Sequence, residues 1–190
     1  MESKLKFVVI ELLFLIFSFT KVFAITYSQE WSGDGVGHLW HDIDSDSINE
    51  LLICPSAGGG YRKYYNGGTY TLEWDIPLGT DNNVYVVMPR DVNGDGRIEP
   101  VDIDGDGENE VVVFRTYTGG GRIIVYNAQT HAEEWNSGDI ANLSSVTGVE
   151  DIDDDGKYEI IYYTSVDSTY TTYVIDGLTK SQEWSGDGGH

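Results

Sequence analysis

Residues 102–113 read DIDGDGENEVVV, an acidic loop that leads directly into an apolar strand. Asp stands at loop positions 1, 3 and 5, Gly at position 6 and Glu at position 9. Gly at position 6 permits the positive φ of a sharp reversal, and the four carboxylates gather hard oxygens around a small volume. The segment therefore predicts a cation-binding turn at the start of a strand.

The same loop occurs at two other places in the chain. Residues 42–53 read DIDSDSINELLI, and residues 151–162 read DIDDDGKYEIIY. A Glu-Trp pair follows each loop, with its Trp 24, 25 and 25 residues after the closing Glu. This constancy predicts one structural unit repeated three times, at about 36–78, 79–139 and 140–190.

A further acidic loop lies inside the middle unit. Residues 91–99 read DVNGDGRIE and end at Pro100 rather than in a strand. A tandem duplication of the loop accounts for nearly all of the extra length of this unit. The inserted loop also resembles a dockerin calcium loop, but no helix follows it, so we do not expect cohesin binding.

The segments between the loops are typical of β-strands and show no helical period with caps. Each unit has an apolar strand after its loop, a Tyr-rich strand, the Glu-Trp strand and a strand that runs into the next loop. We expect an all-β fold of β-propeller-type blades of four antiparallel strands, with about three repeats and an extra outer strand near residues 28–35. Three blades do not close a ring, so an incomplete or open propeller is expected, with self-association through exposed strand edges or a longer repeat protein as the two explanations.

The first residues have the layout of a secretory signal peptide. Two lysines precede the apolar run 7–19, and a small-residue cleavage pattern follows at 22–24. The alternative is a membrane anchor, but the run is short for a span of roughly 20 residues. We therefore expect a signal peptide at 1–24 and a secreted repeat domain at 25–190, extracellular or on the cell surface, with no membrane span after cleavage.

Composition excludes several classes of function. The chain has 190 residues, with 32 Asp and Glu against 11 Lys and Arg, a formal net charge of −21. Nucleic-acid binding needs a basic surface and is not expected. Cys54 is the only cysteine, so neither an intrachain disulfide nor a thiolate metal cluster forms. No nucleophile elbow or phosphate loop occurs, and most of the clustered acids belong to the loops, so we do not expect an enzyme.

Calcium is the expected cation, because it accepts six to eight oxygens in flexible geometry whereas magnesium needs a tighter octahedron. The expected ligands are side chains at positions 1, 3, 5 and 9 and the backbone carbonyl at position 7. The candidates are Asp42, Asp44, Asp46, Ile48 and Glu50 in the first loop, Asp91, Asn93, Asp95, Arg97 and Glu99 in the inserted loop, Asp102, Asp104, Asp106, Glu108 and Glu110 in the second loop, and Asp151, Asp153, Asp155, Lys157 and Glu159 in the third loop. The first loop is expected to bind more weakly, because Ser47 occupies position 6 and tolerates a positive φ poorly. The alternative is four solvated acidic turns without metal.

The pattern Asp-x-Asp-x-Asp-Gly-x-x-Glu followed by an apolar strand resembles the FG-GAP/VCBS repeat family, which includes the integrin α-subunit heads. A Phe-Gly…Gly-Ala-Pro signature is absent, so the VCBS-like branch fits better. The resemblance implies propeller blades with calcium in the turn between the two inner strands of a blade. The implied ligands are Asp102, Asp104, Asp106 and Glu110, then Asp151, Asp153, Asp155 and Glu159, and in the first loop Asp42, Asp44, Asp46 and Glu50.

The resemblance leaves the biological role open between two classes. The first is a secreted calcium-binding repeat module with a structural, adhesive or carbohydrate-binding role and a protein or glycan ligand at the cell surface. The second is an accessory propeller of a secreted polysaccharide-degrading enzyme such as a lyase. The repeated Trp residues are expected to pack in the core or between blades rather than to stack on sugars. They are Trp31, Trp74, Trp135 and Trp184.

Overall fold

A computed structural model of the chain describes Ser32 and residues 35–39, 42–54, 63–76, 83–87 and 101–187. These residues contain thirteen β-strands and no helix, which confirms the all-β prediction. No membrane-spanning helix is therefore present in the described ranges. The predicted signal peptide, most of the extra strand near 28–35 and the inserted loop at 91–99 lie outside them.

The strands form three antiparallel sheets, and the main strands of each follow one another in chain order. The first sheet contains β1 (Val36–Leu39), β2 (Glu50–Cys54), β3 (Lys63–Asn66) and β4 (Leu72–Asp75). The second contains β5 (Asn83–Val86), β6 (Glu110–Tyr117), β7 (Gly120–Asn127) and β8 (Glu133–Asn136), and the short β9 (Ile140–Ala141) pairs with β7. The third contains β10 (Leu143–Glu150), β11 (Glu159–Val166), β12 (Thr169–Asp176) and β13 (Gln182–Asp187). No sheet closes on itself.

Local sequence explains the strands and their hairpins. The runs after the loops are rich in Val, Ile and Tyr, which favour a pleated and buried surface. In the third sheet, β11 and β12 pair from Glu159↔Asp176 to Val166↔Thr169. The two turn residues between them, Asp167 and Ser168, have φ of 50° and 65°, as a tight two-residue hairpin requires.

The three sheets pack face to face in chain order. The first and second sheets share one apolar cluster, which includes Leu52, Tyr64, Trp74, Val111, Val113 and Tyr126. The second and third sheets share another, which includes Val112, Phe114, Val125, Ile160, Tyr162 and Ile175. Because successive side chains alternate across a strand, β6 buries Val111 and Val113 on one face and Val112 on the other. The middle sheet is therefore covered on both faces, and this explains its unbroken apolar run.

We call the face of a sheet that is directed toward the following sheet its forward face and the opposite face its backward face. Leu52 and Val112 lie on forward faces, and by the same alternation Ile161 marks the forward face of the third sheet.

The predicted packing of the repeated Trp residues is correct for two of them. Trp74 is buried in the first cluster, and Trp135 is half-buried against the second. For Trp184 the prediction is wrong: its side chain is 53% exposed, because no sheet in the described part of the chain covers the forward face on which it lies. Trp31 lies outside the described residues.

Candidate metal centre

The first, second and third acidic loops adopt one conformation at the start of β2, β6 and β11. Positions 4 and 6 have positive φ in each loop. The values are 66° and 72° for Ser45 and Ser47, 80° and 95° for Gly105 and Gly107, and 60° and 85° for Asp154 and Gly156. The reversal expected at position 6 is therefore present, and the second one at position 4 was not anticipated from the sequence.

Backbone amides hold the aspartates of the loop in place. In the second loop, the Gly107 N–H donates to Asp102 Oδ2 at 2.9 Å, and the Glu108 N–H donates to Asp106 Oδ1 at 2.8 Å. The same two bonds recur in the first loop at 2.8 and 2.7 Å and in the third loop at 2.9 and 2.8 Å. The loop is thus ordered by its own backbone around a set of converging carboxylates.

The closing glutamate of each loop is buried, and in the first and second loops only one of its two oxygens has a hydrogen-bond partner. One oxygen of Glu50, Glu110 and Glu159 accepts the N–H of loop position 2, at 2.6, 2.5 and 2.8 Å. The other oxygen of Glu50 and of Glu110 is buried without a hydrogen-bond partner. One oxygen each of Asp42 and Asp104 is in the same condition. Burying such an oxygen without a partner is costly, and a bound cation would supply the missing contact.

The structure brings together most of the predicted ligands. Carboxylate oxygens within 4.8 Å of one another come from Asp42, Asp44, Asp46 and Glu50 in the first loop, from Asp102, Asp104, Asp106 and Glu110 in the second, and from Asp151, Asp153 and Glu159 in the third. Asp155 is not in the third group, and its Oδ2 lies 4.0 Å from the Lys157 ammonium. The first loop, which sequence ranked lowest of the three, therefore gathers more carboxylates than the third.

The position-7 residues were predicted to contribute backbone carbonyls, and their side chains lie outside these groups. The Glu108 carboxylate accepts a hydrogen bond from the Asn127 amide, and Lys157 lies near Asp155. The carbonyl contribution of these residues and of Ile48 stays a prediction. The candidates of the inserted loop, 91–99, lie outside the described residues.

The electrostatics of the loops favour bound positive charge. Burial, and then the neighbouring loop aspartates, raise the pKa of Glu50 and of Glu110 to about 8, although a backbone hydrogen bond opposes this. The pKa of Glu159 is raised for the same reasons. These acids resist ionisation where they lie, so a cation that stabilises the charged form would reverse the direction of the shift.

Sequence reasoning missed a second layer of residues around the loops. Asn66 donates to Asp46 at 3.2 Å, and Asn127 donates to Glu108 and, at 3.0 Å, to Glu134. Burial, and then the nearby loop aspartates, raise the pKa of Glu134. In the sequence, the Glu of each Glu-Trp pair served as a landmark but was given no role. The repeated Asn-x-x-Thr turn is the sequence signal that could have placed this Glu beside the acidic loop.

The first and second loops are also held by the unit that follows each of them. Asn109 and Gln129 of the second unit donate side-chain hydrogen bonds to the Ile43 and Asp44 carbonyls at 3.2 and 3.1 Å. The Lys180 ammonium of the third unit lies 4.0 Å from Asp104. These two acidic loops therefore take part in the contacts between sheets.

No protein-family model, curated protein or solved structure matches the chain.

Proposed function

We propose that the protein is a secreted calcium-binding repeat module whose sheets are blades of the β-propeller type. The observation that carries the metal assignment is the pair of buried glutamates, Glu50 and Glu110. Each has one unpartnered oxygen within a group of four carboxylates.

Calcium fits this donor set better than the other common cations. Every donor is a hard carboxylate oxygen, and no described His or Cys joins the groups, which argues against zinc or a soft metal. The loops are formed by short backbone reversals, which suit the variable coordination of calcium better than the strict octahedron of magnesium.

The arrangement of the sheets supports the blade assignment. Each sheet is a four-stranded antiparallel path in chain order, and successive sheets pack face to face. These are the two properties that repeated blades share. The FG-GAP/VCBS resemblance of the loop sequences points to the same architecture.

The role that fits this scaffold is structural, adhesive or carbohydrate-binding, with a protein or glycan ligand at the cell surface. The acidic composition and the commitment of the clustered acids to the loops support a binding module rather than an enzyme. A glycan array probed with and without calcium tests the ligand class: retained glycans support carbohydrate binding, and an empty array favours a protein ligand.

Calcium dependence is tested by thermal unfolding in EDTA, in magnesium and in millimolar calcium. A cation that binds only the folded loops adds about 2.7 kcal/mol per site at about 100 times its Kd, so we expect a clear rise in Tm with calcium. Glu110→Gln should remove part of this rise, whereas the matched change Glu133→Gln, at an exposed position outside the loops, should leave it intact. A Tm that is the same in EDTA and in calcium would contradict the proposal.

A further inference from the structure

The contact between successive sheets occurs twice in the chain and uses the same positions. Loop position 2 of the first and second units, Ile43 and Ile103, is buried in the cluster shared with the following sheet. Trp74 of the first sheet is only 8% exposed, because His131 from the following unit stacks on it with ring centroids 4.6 Å apart and planes 3° apart. An isoleucine and a tryptophan on each forward side are thus the residues that the next sheet covers.

The third sheet presents the same two positions to solvent. Ile152, at loop position 2, is 50% exposed, and Trp184, at the position of Trp74, is 53% exposed. Trp184 pairs with Val174 on the forward face, as Trp74 pairs with Tyr64 in the first sheet. The forward side of the third sheet therefore has the composition of an inter-sheet contact without a covering sheet in the described part of the chain.

The backward face of the first sheet is the natural counterpart. Leu72 and Tyr65 pair with each other on this face, and Leu72 is 48% exposed. Tyr70 occupies the turn position that His131 and Lys180 occupy in the later units, and all three residues have φ close to 60°. If the first sheet of another copy were placed after the third sheet, Tyr70 would thus bring an aromatic ring to the place that His131 occupies beside Trp74.

We propose that a second copy of this chain docks head to tail, with the backward face of its first sheet on the forward face of the third sheet. The partner that covers the forward face of the third sheet is a second copy, because both contacts inside the chain already join the forward face of one repeat to the backward face of the next. This is a heterologous contact, which either closes or polymerises. Two copies supply six sheets, within the four to eight of closed propellers, so the association stops at a dimer.

Sedimentation velocity of the purified protein over a wide concentration range tests the proposal. We expect a limiting species of twice the monomer mass. Trp184→Asp on one face and Leu72→Asp on the other should each weaken dimerisation by about 30-fold or more, the scale of interface hot spots. The matched control is Val166→Asp at the β11–β12 hairpin end, because Val166 is also 53% exposed but lies away from the strand positions of Leu72 and Trp184. It should leave the dimer intact.

Mixing the two interface variants distinguishes head-to-tail docking from other dimers. The Trp184→Asp protein keeps an intact backward face and the Leu72→Asp protein an intact forward face, so an equimolar mixture should form a one-to-one complex. Circular dichroism confirms that both variants are folded, and the calcium titration of each tests the metal proposal separately. A monomer at every concentration, open polymers, or a dimer that survives either substitution would overturn the inference.

Discussion

At the scale of single residues, the buried glutamates affect the stability of the protein without metal. Glu110 is almost fully buried, one of its oxygens has no hydrogen-bond partner, and burial raises its pKa to about 8, so its ionised form is disfavoured where it lies. Glu110→Gln should therefore stabilise the protein in EDTA, by an amount of the order of 1 kcal/mol, while it weakens stabilisation by calcium. Urea unfolding with and without calcium measures both effects. A variant that is less stable than the parent in both conditions would show that the glutamate has only a packing role.

The raised pKa values of the buried glutamates predict that the stability of the protein depends on pH. The pKa values of Glu50 and Glu110 rise from 4.5 to about 8 on folding without metal, so the folded state binds more protons than the unfolded chain between these values. The resulting stability is fully present below about pH 4.5 and is lost as the pH rises through about 8. In EDTA we expect the free energy of unfolding to fall over this window. In saturating calcium the fall should disappear or reverse, because metal binding requires the ionised carboxylates.

Ser47 carries backbone strain that its counterparts avoid. Its φ is 72°, in the left-handed region, where Gly107 and Gly156 occupy the equivalent position. Ser47→Gly should relieve this conformation and raise the stability of the calcium-loaded protein by about 0.5–1 kcal/mol. Ser47→Ala is the matched control, since alanine has the same Cβ and should bring no gain. Equal effects of the two substitutions would place the cause elsewhere.

At the scale of elements, the β6–β7 hairpin leaves no room for a side chain at Gly121. Gly121 pairs with Thr116, and a Cβ on Gly121 would lie 2.3 Å from the Arg115 carbonyl oxygen and 2.8 Å from the Leu143 side chain of the third sheet. Gly121→Ala should therefore destabilise the protein by about 1–3 kcal/mol. Thr116→Ala, on the paired residue, should cost less than about 1 kcal/mol. Chemical denaturation of the two variants at fixed calcium compares them.

At the scale of the whole molecule, net charge opposes the compact state. The chain carries a formal charge of −21, and its acidic loops lie at equivalent ends of three stacked sheets. Without metal, sodium chloride should raise the Tm, because it screens repulsion between exposed carboxylates. Calcium should reduce this salt dependence by neutralising the loops directly. Thermal unfolding across a salt series, in EDTA and in calcium, tests both statements, and a Tm independent of salt in EDTA would contradict the first.

Sequence by itself determined the strands, the repeat and the acidic groups of the loops of this protein. Strand alternation and loop spacing are local properties, so the run after Glu110 and the aspartates before it could be interpreted without knowing what they contact. Only the tertiary structure decided which face of each sheet is covered, because burial depends on the neighbouring sheet. The equivalent Trp74 and Trp184 are therefore buried and exposed, respectively. The same physical reason explains why Asn127 and Gln129, which are distant in sequence from the loops, were not recognised as the residues that hold them in place.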